Sequence, residues 1–570
     1  MGILGVSMKE KKKISCGENR IFFEILLGIV LTAGVFFFLG IWFETNDDFV
    51  IYSMLSGVVS GRHEFHTMHN SVIFSLPMSL LYTLTDKISW YGFFYLFLHL
   101  LAFVLPVHSA SSICKKLSER VIVYVTAVMI FVLSLFVQAQ YQYTSIGLIM
   151  ASVGYICLFL DKNKKRKIIF FIITEALAYG IRPETMELIQ PMGLLVFIGF
   201  KLGEKDIKFK EIVKETAIVL SISVGIILIG FTADKLAYSS DEWAKAKSVN
   251  GDRIVMSDYN GMPNYDEVKD ILNRNNVTKE EYEAFTEYAL PDFSGISDAM
   301  HDLAEYSDSN YSSAGSIPDT IKNVYYSSYR HNLTYRINLA VIAAWIVTIV
   351  ILIVFGGKKD MLPVLLYMLG KGISWGYIFY KGRVPIRILI PLYIFEAEIA
   401  LCISLYVFIK RKKKKFEKAL IAALLVFLGS LTAYSGKIQA DNLIAQKNAF
   451  SILNNTQEIL MNYIEENSDK KIILGQELYM YWKISPFECI NPDLPNFMYE
   501  CGWFSCLPTY IERSREFLNA DELYLITVEE EDYFKEKEMA YYTSVFGNDF
   551  EIIDTIPMPT GANAVVYKIR

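Results

Sequence analysis

The sequence predicts an α-helical polytopic membrane protein of about 11 crossings, with a helical outer loop and a small C-terminal extracytoplasmic α/β domain. Three observations predict it. Hydrophobic residues make up 53% of the 570 positions, and the mean hydropathy is +0.30. The apolar residues gather into runs near the roughly 20 residues that a helix needs to cross a bilayer. Lys and Arg then recur on alternate connections between those runs.

Taken in order, the runs lie at about 21–43, 90–112, 121–138, 144–161, 167–182, 186–202, 213–233, 336–356, 361–381, 386–409 and 416–434. Residues 1–20 carry a basic cluster (Lys9, Lys11, Lys12, Lys13) before the first run, with no small-residue cleavage site after it. That pattern predicts a retained anchor with a cytoplasmic amino terminus. The alternate connections Lys115–Arg120, Lys162–Lys167, Lys201–Lys214, Lys358-Lys359 and Lys410–Lys415 are then all basic and cytoplasmic. Their partners, including loops 44–89 and 234–335 and everything after 434, fall outside. The expected location is the plasma membrane.

The stretch 71–84 is apolar but short and contains Pro77, so it reads as an interfacial or re-entrant helix inside the first outer loop. Loop 234–335 mixes acidic and aromatic residues, and Thr278 with Glu281 suggests a helix start. Residues 435–570 predict a helix near 439–466 and strands at Lys471–Leu474, Leu523–Val528, Phe550–Ile556 and Ala564–Ile569. Seven Cys are scattered without a CxxC pair; of the outer three, Cys489, Cys501 and Cys506, two could form a disulfide. No Walker loop, GxGxxG or HExxH occurs. The Lys410–Lys415 run reads as a topological anchor, and no nucleic-acid partner is expected.

Polar groups held at a bilayer boundary are candidates for chemistry. Asp47 and Asp48 follow the first run directly. The tract 61–70 adds His63, His66 and His69, spaced so that two could share a divalent cation with Asp48, or contact a sugar, an acceptor or a phosphate. Arg182 and Glu184 cap the fifth run. Lys381, Arg383 and Arg387 join the ninth and tenth, with Lys371 inside the ninth. Basic residues at outer helix ends run against the positive-inside trend, and they suit a lipid-linked phosphate. Arg383 and Arg387 could instead pair with Glu396 or Glu398, and Lys371 with Glu175. Together the acids and bases suggest transfer of a sugar from a polyprenyl-phosphate donor, with a carboxylate as general base.

On the acidic pair Asp47-Asp48, the short helix 71–84 and the soluble domain after the last run, the chain resembles the GT-C glycosyltransferases. That class includes protein O-mannosyltransferases and aminoarabinose transferases. The resemblance covers about residues 21–434. It implies an inverting transfer from a lipid-phosphate sugar to a cell-surface glycan or lipid acceptor, with Asp47 or Asp48 as the base. Alternatives of other classes are a flippase or transporter of lipid-linked glycans, a non-catalytic surface protein, and a polymerase or ligase of lipid-linked polysaccharide.

Overall fold

The computed structural model describes residues 20–569 apart from 205–206, 312–314, 331–335, 410–414, 477, 479–484, 491–495, 530–532 and 548–549. The basic runs Lys9–Lys13 and 410–414, and Cys16, lie outside the described residues.

Helices dominate. Among the described residues, nine are long and apolar enough to cross a membrane: Arg20–Leu39, Trp90–Ile113, Tyr143–Leu160, Pro183–Gly203, Phe209–Ala237, Ile337–Phe355, Lys358–Tyr380, Ile386–Ile409 and Glu417–Glu466. The other two expected crossings are also helical but differ in character. Leu117–Leu133 has 17 residues and breaks at Ser134 before resuming as Leu135–Ala139. Lys164–Ile181 spends its first turn on Lys164, Lys165, Arg166 and Lys167, where Asn163 caps the Lys165 and Arg166 amides.

Close approach between crossings depends on small residues. A Cβ on Gly370 would sit 2.7 Å from the Met192 Cα, and one on Gly199 would sit 2.6 Å from the Pro363 Cα. Only a hydrogen side chain lets Pro183–Gly203 and Leu362–Tyr380 pack backbone to backbone, as membrane helices commonly do.

The first outer loop folds as two short helices, Asn46–Ser56 and Val72–Tyr82. Gly57 ends the first in a left-handed conformation, φ 90°. Ser71 begins the second, and Asp234 accepts bonds from the Ser71 hydroxyl at 2.9 Å and the Val72 amide at 2.8 Å. A two-residue parallel pairing of Trp42-Phe43 with Gln140-Tyr141 fixes this loop beside the start of Tyr143–Leu160.

Loop 234–335 is helical, with Asp241–Ile254, Tyr265–Arg274, Lys279–Thr286 and Met300–Tyr311. The Thr278 hydroxyl accepts from the Glu281 amide at 3.1 Å, as expected. Its last part departs from a purely outer loop. The Gly315 amide donates to the Tyr380 carbonyl, and the Tyr325 hydroxyl donates to the Met368 carbonyl, both at 2.8 Å. Residues 315–330 therefore run inward along Leu362–Tyr380 for several turns, and a plain hydropathy scan does not register so short a descent.

The boundary expected near 434 does not interrupt the chain, because Lys415–Glu466 is one helix of 52 residues. At a 1.5 Å rise per residue it is roughly 78 Å long, more than twice a bilayer core. A five-stranded sheet follows, ordered Phe497–Tyr499, Lys471–Leu474, Leu523–Val528, Asn563–Lys568, Glu551–Pro557. The first three strands are parallel and the last two pair antiparallel. Strand Phe497–Tyr499 was not expected, and its three residues are too few for a sequence pattern. This sheet leans on the first outer loop: the Ile490 amide donates to the Tyr52 hydroxyl at 3.0 Å, and Phe49 stacks edge-on against Tyr499.

Candidate active site

A cavity of about 680 Å³ lies where the helix ends on one face of the bundle, the helical loop 234–335 and the sheet meet. Its wall carries Asp47, His69, Arg182, Glu184, Lys381, Arg383 and Arg387. These come from loops separated by more than 300 positions, and the fold brings them to one chamber.

Asp47 and Asp48 sit side by side at the start of one helix but face opposite ways. Asp48 is fully buried. Its Oδ1 accepts from the Tyr143 amide at 2.9 Å, the Tyr91 hydroxyl at 3.0 Å and the Tyr95 hydroxyl at 3.3 Å. Thr45 donates to its Oδ2 at 3.2 Å. Burial, then the Asp47 charge, pushes the Asp48 carboxyl well above the ordinary carboxylate range. Asp48 ties the first outer loop to the Tyr143–Leu160 helix and does not line the cavity. Asp47, half-buried, does line it, and makes no hydrogen bond or ion pair among the described residues. The expectation of two candidate bases thus narrows to one carboxylate that a substrate can reach.

The cations divide in the same way. Arg182 is held by Glu184 at 2.9 Å and by the His69 Nδ1 at 3.2 Å, with its guanidinium over the Tyr143 ring. Arg383 pairs with Asp258 at 2.7 Å, not with Glu396 or Glu398. Lys381 lies over the Tyr259 ring and, like Arg387, has no ion pair among the described residues. Among the described residues, Lys381, Arg387 and a further cation of the wall, Arg253, are therefore left without a carboxylate. Lys371 does not belong to this set. It is fully buried and bonds Glu396 at 2.8 Å and the Tyr329 hydroxyl at 2.9 Å. Its partner is not Glu175 either, whose carboxylate accepts from Gln190 at 3.0 Å.

The three His go to separate partners, so the shared-ion arrangement with Asp48 is not formed. His63 approaches Asp86 at 3.8 Å. His66 bonds Glu64 at 2.7 Å and stacks on Trp243. Only His69 reaches the cavity, where burial and then the Arg182 charge hold its pKa well below the usual value. A neutral His69 can accept from Arg182 through Nδ1. Among the described residues no three His, Cys, Asp or Glu side chains gather as a metal site.

Sequence reasoning missed the contribution of the outer loop and the sheet. Arg253, Asp258, Tyr259 and Tyr288 come from loop 234–335, and Gln476, Cys501 and Trp503 from the loops that follow two strands of the sheet. Arg253 is positioned by the Asn250 side chain at 3.0 and 3.1 Å and by Ser257 at 3.0 Å. None stands in a recognisable motif. Towards the membrane, Leu188, Pro191, Ile373 and Tyr377 of two crossing helices complete the wall, and Ile373 and Tyr377 are exposed on the flank of the bundle. Compared with known proteins, the chain matches no family model and no curated sequence.

Proposed function

We propose that the chain is an integral membrane glycosyltransferase that moves a sugar from a polyprenyl-phosphate donor to a glycan or lipid acceptor on the outer face of the cell membrane. The observation that carries this reading is the meeting of a free carboxylate, Asp47, with Arg182, Lys381, Arg383 and Arg387 in one chamber flanked by exposed apolar helix surface.

In this reading the donor phosphate rests on Lys381 and Arg387, the two cations of the connection 381–387 without a carboxylate partner among the described residues. The prenyl chain leaves past Ile373 and Tyr377 into lipid. Asp47 takes the proton from an acceptor hydroxyl, whose oxygen attacks the anomeric carbon. The bond from that carbon to the phosphate oxygen breaks, and the phosphate departs with the electron pair. Its growing charge is stabilised by cations in a partly desolvated site. One displacement inverts the anomeric centre.

The test is sugar transfer from a polyprenyl-phosphate sugar in membranes carrying single substitutions. Asp47→Asn should lower the rate by roughly 10²- to 10⁴-fold, the usual range for a general base, without loss of thermal stability. Asp48→Asn should instead lower the melting temperature, because one oxygen that accepts three bonds is disturbed. Full transfer by Asp47→Asn would end this assignment. It would favour a flippase or transporter, or a polymerase or ligase using pyrophosphate-linked glycans.

A further inference from the structure

Besides Arg253 and the Arg383-paired Asp258, loop 234–335 and the sheet give the cavity Tyr288, Gln476 and Trp503, whose chemistry differs from that of the cations at the helix ends. In an open parallel sheet, ligands bind beyond the carboxyl ends of the strands, where neighbouring connections diverge in opposite directions. Here the first strand in sequence, Lys471–Leu474, lies between Phe497–Tyr499 and Leu523–Val528. The connection leaving it runs to Phe497–Tyr499 on one side, and the connection leaving Leu523–Val528 runs to Glu551–Pro557 on the other. The residues just past the carboxyl ends of two of these strands, Gln476 and Trp503, are the ones that line the cavity. The carboxyl edge of the sheet thus shares one cavity wall with Asp47.

The same cavity is lined by Tyr288, on the loop after Lys279–Thr286. It is one of four non-glycine residues with positive φ among the described residues, at 58°. A bulky residue in the left-handed region costs energy and persists where the surroundings demand it, commonly at a ligand site. That loop is tied to the sheet edge: the Phe293 amide donates to the Ser505 carbonyl at 3.3 Å, and the Ser514 hydroxyl donates to the Pro291 carbonyl at 2.9 Å. Trp503 is anchored by an edge-on contact with His69, centroids 4.6 Å apart. Its indole N–H is without a hydrogen-bond partner among the described residues, so a donor is left for a ligand to satisfy.

Two aromatic rings, a carboxamide and an unpaired indole N–H, with the Arg253 guanidinium held by Asn250 and Ser257 on the same wall, suit a pyranose ring and its hydroxyls. The rings cover its apolar C–H face, and the amide takes its hydroxyls. We infer that Trp503, Tyr288 and Gln476 form a saccharide subsite that holds the acceptor sugar with a hydroxyl toward Asp47. The acceptor assignment rests on the glycosyltransferase reading. A donor arriving from lipid occupies the cationic, membrane-helix side, and leaves the water-facing side to the second substrate. The acceptor is then a glycan, not a protein side chain or an apolar lipid alcohol.

The test is saturation-transfer difference NMR on the purified full chain in detergent, which needs no turnover. The probes are methyl α-mannopyranoside, methyl β-galactopyranoside and methyl β-glucopyranoside. At least one should receive saturation on its ring protons. The signal should fall at least fivefold in Trp503→Ala and persist in Trp503→Phe, which keeps a stacking face, and in Asp47→Asn. It should also persist with farnesyl phosphate added to fill the cationic side. No signal from any of the three pyranosides, or an unchanged signal in Trp503→Ala, would overturn the subsite. Displacement by farnesyl phosphate would assign the subsite to the donor sugar and overturn the acceptor role. A folding failure of Trp503→Ala would show as a lowered melting temperature, and the Gln476→Ala variant then decides, with the same fivefold loss expected. Because binding does not use Asp47 as a base, loss of the glycosyltransferase reading alone leaves these signals intact.

Discussion

At the scale of single residues, the difference between Asp47 and Asp48 shows how little adjacency says about role. One carboxylate accepts four bonds in a closed interior and the other is left for solvent or substrate. Glu500 presents a similar contrast in the sheet. It is fully buried, its Oε2 accepts from the Gln476 amide at 3.1 Å, and it forms no ion pair among the described residues. Burial first, then the charge of Glu538 and the bond between the two carboxyls, raises its pKa well above the ordinary value. Tyr541, Tyr542 and Cys501 are the other titratable groups around it, and Thr527 donates to Glu538 at 3.1 Å. A pKa raised on folding means that the unfolded chain binds fewer protons between the two values. Stability from Glu500 is therefore complete below its unfolded pKa, near 4.3, and is lost as pH rises toward the folded value. The melting temperature should decline as pH increases from about 5 upward, and Glu500→Gln should flatten that decline. Parallel melting curves for the two proteins across pH would contradict the account.

At the scale of elements, the buried Lys371–Glu396 pair decides how three segments meet. Leu362–Tyr380 supplies Lys371, Ile386–Ile409 supplies Glu396, and the descending segment 315–330 supplies Tyr329, while Trp345 also donates to Glu396 at 2.8 Å. Removing one member leaves an uncompensated buried charge, which costs on the order of 3–5 kcal/mol, whereas replacing both by apolar groups is often neutral. Lys371→Met should therefore lower the melting temperature strongly, and Lys371→Met with Glu396→Leu should recover most of the loss. A phosphate-binding Lys371 would give the opposite pattern, with transfer lost in both variants and stability unaffected by the second change. The element pattern was legible in apolar run length for the crossings. It was not legible for 315–330, where Ile317, Ile321, Tyr325 and Tyr326 are exposed apolar residues spread through an otherwise polar stretch.

At the scale of the whole molecule, the charge of the connections predicts which side each loop occupies, and the cysteines offer a check. Cys489 is exposed, while Cys114, Cys157, Cys402, Cys501 and Cys506 are buried, and all six are free. The disulfide contemplated among the outer three is therefore not formed. A membrane-impermeant maleimide added to intact cells should label the protein at Cys489, and Cys489→Ser should abolish the signal. Labelling only after permeabilisation would place the sheet on the cytoplasmic side and invert the topology. It would also move the cavity to that face, since Gln476 and Trp503 belong to its wall.

Composition, run length and the alternation of basic loops were enough, by themselves, to determine that the chain is a helical membrane protein. The bilayer imposes those constraints on local sequence, one segment at a time. Four strands and the short helix near 71–84 could be read in the same way. Which of Asp47 and Asp48 is reachable, which cations remain unpaired, and the service of Lys371 in a buried ion pair were decided only by the tertiary structure. So was the arrival of Trp503 and Tyr288 in the same cavity as Asp47. The reason is physical. Hydropathy is a property of neighbours in sequence, whereas the accessibility of a charge depends on donors and counter-charges that arrive from hundreds of residues away.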